Sequence, residues 1–548
     1  MSDTVLGGPA RAWHRLKSLG YASPFYRMTL GHGAPSGLAL ALEDPWEGDP
    51  ERGNAMFQGR FRFAGLEATA PNQPPWRLRP DAPEWTRELH GFAWLRHFRA
   101  VGGTAAVQHA RRLVRSWIDL CGDWEPLIWD VDVVGRRLVA WVGQAGFLLD
   151  GADEAFRAQF LESLHRQWRH LGRDAGSAAP GAPALAAALG LLLGALALGG
   201  REAKTARGLG LLQRELEAQV LADGGHVSRS PSRQMQVLRE LVWLRDAFKA
   251  AEREVPEALQ IAIDRMAPVL RAFRHGDGAL ALFNGGFEET PEAVEATLVR
   301  AEADGAPLAN ASHSGFQRLS AGRSVLIADT GAAPGTPLPP EGHAGALSFE
   351  FSSGRQRLVV NCGSGLGRDA AWRSAMRVTA AHSALVVEDT NNMELPGPGR
   401  RAPKAPGVKV ERNQDDDGNV WLDVRHMGYA EILGLTHRRR LYLAAGGQDL
   451  RGEDRLVPGR SDALEREFRI RFHLHPAVKA SLVEGGTQVL LGLKSGEGWR
   501  FRASGARAAI EESIYLGRRD NIRRTEQVVL SGRLAGDHVA VKWAFRKL

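Results

Sequence analysis

The sequence predicts a multidomain α+β chain: a helical array or toroid, then a large antiparallel β-sandwich. Three observations carry this. At 548 residues the chain exceeds what one ordinary core organises. Between about 81 and 285 apolar residues recur at helical spacing, with short loops between the runs. From about 320 to the last residue the pattern changes to strict alternation with glycine-rich turns.

Composition sets the frame. An apolar fraction of 44% fills proper interiors, and two cysteines, Cys121 and Cys362, exclude a disulfide scaffold or a thiolate metal cluster. The formal charge of +7 is mostly arginine spread along the chain. It suits an acidic polymer such as a uronate-containing polysaccharide, whereas nucleic-acid binding rests on charge alone and is not expected. The first twenty residues hold Arg11, Arg15 and Lys17 and no apolar segment, so no signal peptide is visible and a cytoplasmic protein is expected. The apolar run Ala182 to Gly200 approaches membrane-spanning length, but its alanine, leucine and glycine content with Pro183 near its start reads as a closely packed buried helix. No membrane span is expected, and a homodimer is compatible with the composition.

Residues 1–80 mix short helical pieces with a small hairpin in which Phe57, Phe61 and Phe63 share a face, followed by the proline-rich connector Pro71 to Trp76. The helical domain spans 81–305. It includes Leu89 to Phe98, a helix ending near Trp117 and Ile118, the apolar stretch Val131 to Leu149, and Phe156 to Leu171. Residues 202–221 follow, with Leu209, Leu212, Leu216 and Val220 on one stripe. Its clearest helix start is Ser230-Pro231, where serine caps and proline suits the first turn, leaving His226 in the loop ahead. A further helix runs from Val255 to Phe273.

The sandwich spans 306–548. Val325 to Ala328 and Leu347 to Phe351 read as strands, the latter with Leu347, Phe349 and Phe351 on one face and Ser348 and Glu350 on the other. In Phe468 to His475, Arg469, Arg471, His473 and His475 form a basic face, read as the solvated side of the sheet. A polar, linker-like loop is expected over about 391–419.

Two groups of side chains could carry chemistry. His343, Asn361 and His382 each stand at a strand end; two imidazoles with an amide or a nearby carboxylate could hold a structural Zn²⁺, and the alternative is a hydrogen-bonded histidine cluster without metal. His226 lies before a helix N-terminus, where the dipole favours the neutral form that a general base needs; the alternative is a histidine bonded to backbone. Arg229 and Arg233 nearby could clamp a carboxylate, or lie on a solvated helix face. Gly363-Ser364-Gly365-Leu366-Gly367 lacks the acidic residue that a dinucleotide loop requires.

The chain resembles the heparinase II/III-like family of polysaccharide lyases. The resemblance runs through Leu89 to Leu95, Asp223 to His226 before Ser230-Pro231, His343 to Phe349, Arg357 to Gly363, Trp372-Arg373-Ser374, Thr379 to Ser383, Gly428-Tyr429, His437 to Leu441 and Glu512-Ser513. It implies an incomplete α/α toroid followed by an antiparallel β-sandwich, with an acidic polysaccharide or oligosaccharide as partner, and β-elimination on a uronate-containing glycan. Such chemistry neutralises the uronate carboxylate and moves a proton with a tyrosine or histidine. On this resemblance His226 is a base or carboxylate neutraliser with His343 opposite it, Tyr429 a substitute base or a packing group, and Arg229, Arg233 and Glu341 are substrate contacts. Some relatives keep a structural zinc at the positions of His343, Asn361 and His382, and relatives are often periplasmic or secreted.

Three departures stand out. The five tyrosines are Tyr21, Tyr26, Tyr429, Tyr442 and Tyr515, so none lies between 81 and 300, and Arg233 stands where relatives carry a catalytic tyrosine. Glu341 replaces a first histidine, and Asn361 stands where an aspartate would bind metal. The resulting expectation is a polysaccharide lyase, with a non-catalytic acidic-glycan-binding protein of the same fold as the alternative.

Overall fold

The computed structural model describes residues 17, 19–78, 80, 82–200, 202–331, 342–395, 407–459, 465–483, 488–519 and 521–548. Glu341 lies outside them. The chain forms two compact units: Met1–Gln219 with Glu240–Ile261, and Val220–Arg239 with Ala262–Leu548. His226 and its loop therefore belong to the unit that carries the strands.

The first unit is helical. Asp153 opens the helix Glu154–Asp174 by accepting a hydrogen bond from the Phe156 N–H at 2.7 Å. The hairpin of Arg60–Phe63 and Leu66–Thr69 forms as expected, but Phe57 ends the preceding helix Pro50–Phe57 instead of joining a strand. The apolar run near 190 is the helix Ala182–Leu198, buried against Val131–Gly143. A Cβ at Gly190 would lie 2.6 Å from the Gly135 Cα, and one at Gly194 would lie 2.5 Å from the Trp168 ring. Small residues are there because the backbones touch. No helix among the described residues is long and apolar enough to cross a membrane.

The second unit holds two antiparallel sheets. In the larger one, Arg466–Leu474, Gln356–Val360, Phe349–Ser353, Ser324–Asp329 and Phe316–Ala321 lie side by side. In the other, Val539–Lys547, Asp449–Pro458, Leu435–Leu443 and Val420–His426 lead to the edge strand Val408–Gln414. That edge strand occupies part of the stretch expected to be a linker; its alternating Lys409, Glu411 and Asn413 are polar because they face away from the core.

The inner faces share one apolar core in which Phe349 stacks on Trp543 at 5.5 Å and Phe351 meets Trp499 edge-on at 5.4 Å. The strand expected from Leu347 begins only at Phe349, because Leu347 has φ +60°. Ser348 and Glu350 are buried as fully as their apolar neighbours. The basic face of Arg466–Leu474 is solvated only at its Arg469 end, with His475 partly covered. Arg471 and His473 are buried, the strand Leu385–Val387 pairs alongside, and the Ser383 hydroxyl accepts from the His473 N–H at 3.0 Å.

A buried ion pair, Asp454 with Arg439, sits inside the sandwich. Asp454 accepts bonds from His437 (2.7 Å), from Arg439 Nε and Nη2 (2.7 and 3.0 Å), and from Trp543 (2.8 Å). Arg439 and its neighbours hold the Asp454 carboxyl well below the usual range despite complete burial. Arg439 then donates through Nη1 to the carbonyls of Leu347 (2.7 Å) and Ser383 (2.9 Å). Replacing Asp454 with Asn leaves that guanidinium buried without its counter-charge, and the expected loss is about 3–5 kcal/mol. Urea unfolding of the full chain measures it; an unshifted midpoint would show that the pair holds nothing.

Candidate functional site

The segment 220–234 makes one tight structure. Leu221 N–H donates to the Gly225 carbonyl, Val220 and His226 form a bridge, and Gln234 closes the loop from below, accepting the His226 N–H at 2.6 Å. The His226 ring is buried. Its Nδ1 accepts the Ser228 N–H at 3.1 Å and lies 2.8 Å from the Ser228 hydroxyl, so the ring proton is on Nε2. Burial, with Arg233 adding to it, lowers the His226 pKa to about 3. The imidazole is neutral, as expected, but the lone pair a base would use is already engaged. A proton-donating Nε2 fits the carboxylate-neutralising role better than the base.

Arg229 follows in a left-handed conformation, φ +58°. Its guanidinium pairs with Asp329 and donates to the Ser314 carbonyl at 2.6 Å, over the Phe316 ring at 4.9 Å. A Cβ at Gly331 would lie 2.3 Å from that guanidinium, so glycine makes the room it occupies. Arg229 is buried and committed to Asp329; its placement as a substrate contact is corrected to a structural one. Burial still holds the Asp329 carboxyl above its ordinary value against the pull of Arg229. Arg233, half-buried on the first turn of Pro231–Ala250, reaches Gln236 at 2.9 Å.

Asn284 joins these elements. Its amide donates to the Arg229 carbonyl at 3.1 Å, and its oxygen accepts the His343 N–H at 3.1 Å. Asn284 itself has φ +44°, and Leu347, whose N–H donates to the Asp329 carbonyl at 2.9 Å, has φ +60°. Three non-glycine residues in the left-handed region, Arg229, Asn284 and Leu347, are thus tied into one hydrogen-bonded set. Backbone strain of this kind costs about 1–3 kcal/mol per residue and concentrates at functional sites.

His343 and His382 meet, with His343 Nδ1 3.1 Å from His382 Nε2. His382 Nδ1 lies 2.9 Å from the Val378 carbonyl and must donate to it. Its Nε2 therefore accepts the His343 proton, and the lone pair of His343 is on Nε2. Both rings are neutral: burial lowers His382 to about 4 and drives His343 well below its ordinary value. Asn361 is beside them but committed on both sides, donating to the Leu282 carbonyl at 3.0 Å and accepting the Ser383 N–H at 3.0 Å. Glu350, a carboxylate considered for the same set, is bonded to His275 Nε2 at 3.0 Å and to the Asn361 N–H. Among the described residues no three His, Cys, Asp or Glu side chains converge as a metal site. Two imidazoles already bonded to each other and an amide with no spare donor do not fit a four-coordinate zinc.

Residues 303–544 match the model of the heparinase II/III-like C-terminal domain. The chain is 34% identical over 544 residues to FtsZ-localized protein C of Caulobacter vibrioides (strain NA1000 / CB15N), covering 96% of this chain and 93% of that protein. The chain belongs to the heparinase II/III-like family. Its fold is that of heparinase III, an α-toroid plus β-sandwich: the crystal structure of that protein superposes with TM-score 0.73 over 93% of this chain and 87% of its own, at 14% identity. A mutant of the heparan sulfate lyase HepC from Pedobacter heparinus gives TM-score 0.64, 15% identity, and coverage of 95% and 87%.

The family frame places the expected residues unevenly. His226, His343 and His382 fall within the linked set described above. Tyr429 does not: it is fully buried in the sandwich core, its hydroxyl donates to the Leu385 carbonyl at 2.8 Å, and burial raises its pKa. It is a packing group and not a substitute base. Asn284 and Asp329 were not anticipated. Asp329-Thr330-Gly331 reads in sequence only as a strand end, and nothing in the sequence around Asn284 marks it.

Two outcomes follow from this chemistry. A histidine whose folded pKa is depressed contributes stability above its unfolded value, and that stability is lost as pH falls toward the folded one. His382, at about 4, and His226 and His473, at about 3, therefore lower the melting temperature progressively between about pH 6.5 and 3, read by calorimetry across that range; a flat profile there would contradict the neutral pairings. Chelation with EDTA leaves the melting temperature unchanged, and elemental analysis finds less than one zinc per chain. A stoichiometric ion whose removal lowers the melting temperature would reverse the metal assignment.

Proposed function

We propose that this protein is a non-cleaving member of the heparinase II/III-like family that localises with FtsZ. Its heparinase-like site serves to bind an acidic glycan. The observation that carries the non-cleaving part is Arg233, on the first turn of Pro231–Ala250 at the position where lyases of the family carry a tyrosine. A guanidinium stays protonated at any working pH and cannot take the C5 proton of a uronate. No tyrosine lies between 81 and 300 to replace it, and the Tyr429 hydroxyl is bonded inside the core.

The cellular part is supported by FtsZ-localized protein C, which matches this chain nearly end to end at 34% identity, whereas the heparinase III and heparan sulfate lyase structures stand at 14–15%. A fluorescent fusion in the source cells is expected to coincide with FtsZ and to disperse when FtsZ is depleted; uniform fluorescence throughout would overturn that part.

A second reading, a polysaccharide lyase acting by β-elimination, is favoured by the two proton states at the site. His226 carries its proton on Nε2 and His343 its lone pair on Nε2, the protonation states that carboxylate neutralisation and proton abstraction require. The readings part on one assay: purified protein incubated with a panel of uronate polymers produces no ultraviolet absorbance of an unsaturated uronate. A rise that disappears in His343→Ala establishes the lyase.

A further inference from the structure

The outward face of the smaller sheet carries an arrangement that neither the fold nor the histidine site explains. Strand register sets Arg425 directly opposite Lys409 on one side and Arg438 on the other, and Arg438 opposite Arg455. Four cations thus stand in one row across four adjacent strands, spanning about 15 Å at the ordinary strand spacing. Like charges placed directly opposite each other destabilise a sheet.

Part of that repulsion is relieved from the next row, where Asp423 pairs with Arg438 and Glu453 lies 3.7 Å from Arg455. Among the described residues Lys409 and Arg425 have no ion-pair partner, and both are exposed.

The row on the other side is apolar. Thr436 stands opposite Val457, and its hydroxyl lies 3.7 Å from the Met427 sulfur. Met427, just past Val420–His426, is 43% exposed, Val457 38%, and Ile432, on the short helix Ala430–Leu433 that leads into Leu435–Leu443, 57%. A line of cations and a line of exposed apolar side chains therefore run in parallel, about 7 Å apart, two residues along each strand.

We propose that this face docks an amphipathic acidic helix of a partner protein. Carboxylates along one stripe of the helix meet Lys409 and Arg425, while Arg438 and Arg455 stay beside Asp423 and Glu453, and the adjacent apolar stripe covers Met427, Val457 and Ile432. Spacings of three and four residues on a helix put side chains about 5–6 Å apart, close to the strand spacing of the cations, and some ten residues span the row. Charge complementarity and the neighbouring apolar line together favour a peptide over a glycan, which would use the charges but not Met427 and Val457. The inference does not rest on the function proposed above, since neither His226 nor His343 takes part.

The test uses the full chain and a fluorescein-labelled peptide of about fourteen residues with glutamates on one helical stripe and leucines on the next, read by fluorescence anisotropy. The expected result is saturable binding, weakened about tenfold by Lys409→Gln with Arg425→Gln. Met427→Ser with Val457→Ser should weaken it comparably, and a scrambled peptide of the same composition should not bind. The charge variant should melt at the same temperature or higher, because it removes repulsion; a lower melting temperature would mark the row as a structural element and overturn the proposal. So would equal binding of the scrambled peptide, or indifference to the apolar pair. Binding to phosphatidylglycerol vesicles that needs the same four residues, with no binding of the peptide, would assign the face to a membrane surface instead.

Discussion

The second unit depends on one buried carboxylate. Asp454 collects His437 and Arg439 from one neighbouring strand and Trp543 from the other, and Arg439 carries the connection on to the carbonyls of Leu347 and Ser383. Those carbonyls lie four residues after His343 and one after His382. An ion pair in an apolar core is a poor source of net stability, because desolvation consumes most of the Coulombic gain. It is a good source of position, since a guanidinium aimed at two carbonyls and a carboxylate leaves little freedom to either loop. The left-handed φ of Leu347 is held where Arg439 and the Asp329 carbonyl each take one of its backbone groups.

From there the constraint reaches the helix start. Asp329 pairs with Arg229, Asn284 bonds both the Arg229 carbonyl and the His343 N–H, and His343 bonds His382. Arg229 and Leu347 have their backbone groups met by neighbours and Asn284 is held through its side chain, which is the condition under which strain persists. The set is also buried and nearly neutral: the histidines are uncharged, and Arg229 and Asp329 cancel. A polar site of this kind favours a fixed arrangement of donors and acceptors over mobile charge.

The architecture was largely legible because it rests on periodicity. The helix Ala182–Leu198 could be read as a packed helix from its glycines and alanines, and strands such as Phe468 to Leu474 from alternation. What sequence reading missed has a common physical cause: a polar residue in a strand looks the same whether it faces water or a buried partner. Arg471 and His473 were read as solvated and are covered; Val408–Gln414 was read as linker because an edge strand can be polar on nearly every residue. At the site, the histidines stood out by residue type, but Asn284 and Asp329 acquire meaning only through contacts 55 and 100 residues away in sequence. Arg229 misled for the converse reason, since an arginine beside a helix start advertises an anion site and only the fold reveals that Asp329 already fills it.

The residues that hold this fold and those that would perform β-elimination are physically separable. Asp454, Arg439 and the stacked Phe349–Trp543 pair lie in the sandwich core, and none of them needs a tyrosine at 233 or a carboxylate at 361. An arginine at 233 costs little on a half-exposed first turn beyond an unfavourable meeting with the helix dipole, worth about 0.3–1 kcal/mol. Asn361 is satisfied as an amide because its nitrogen donates to the Leu282 carbonyl; an aspartate there would set a carboxylate oxygen against that carbonyl, with no proton between them. The local bonding at position 361 therefore selects the amide over a carboxylate, and His343 and His382 form a hydrogen-bonded imidazole pair beside it.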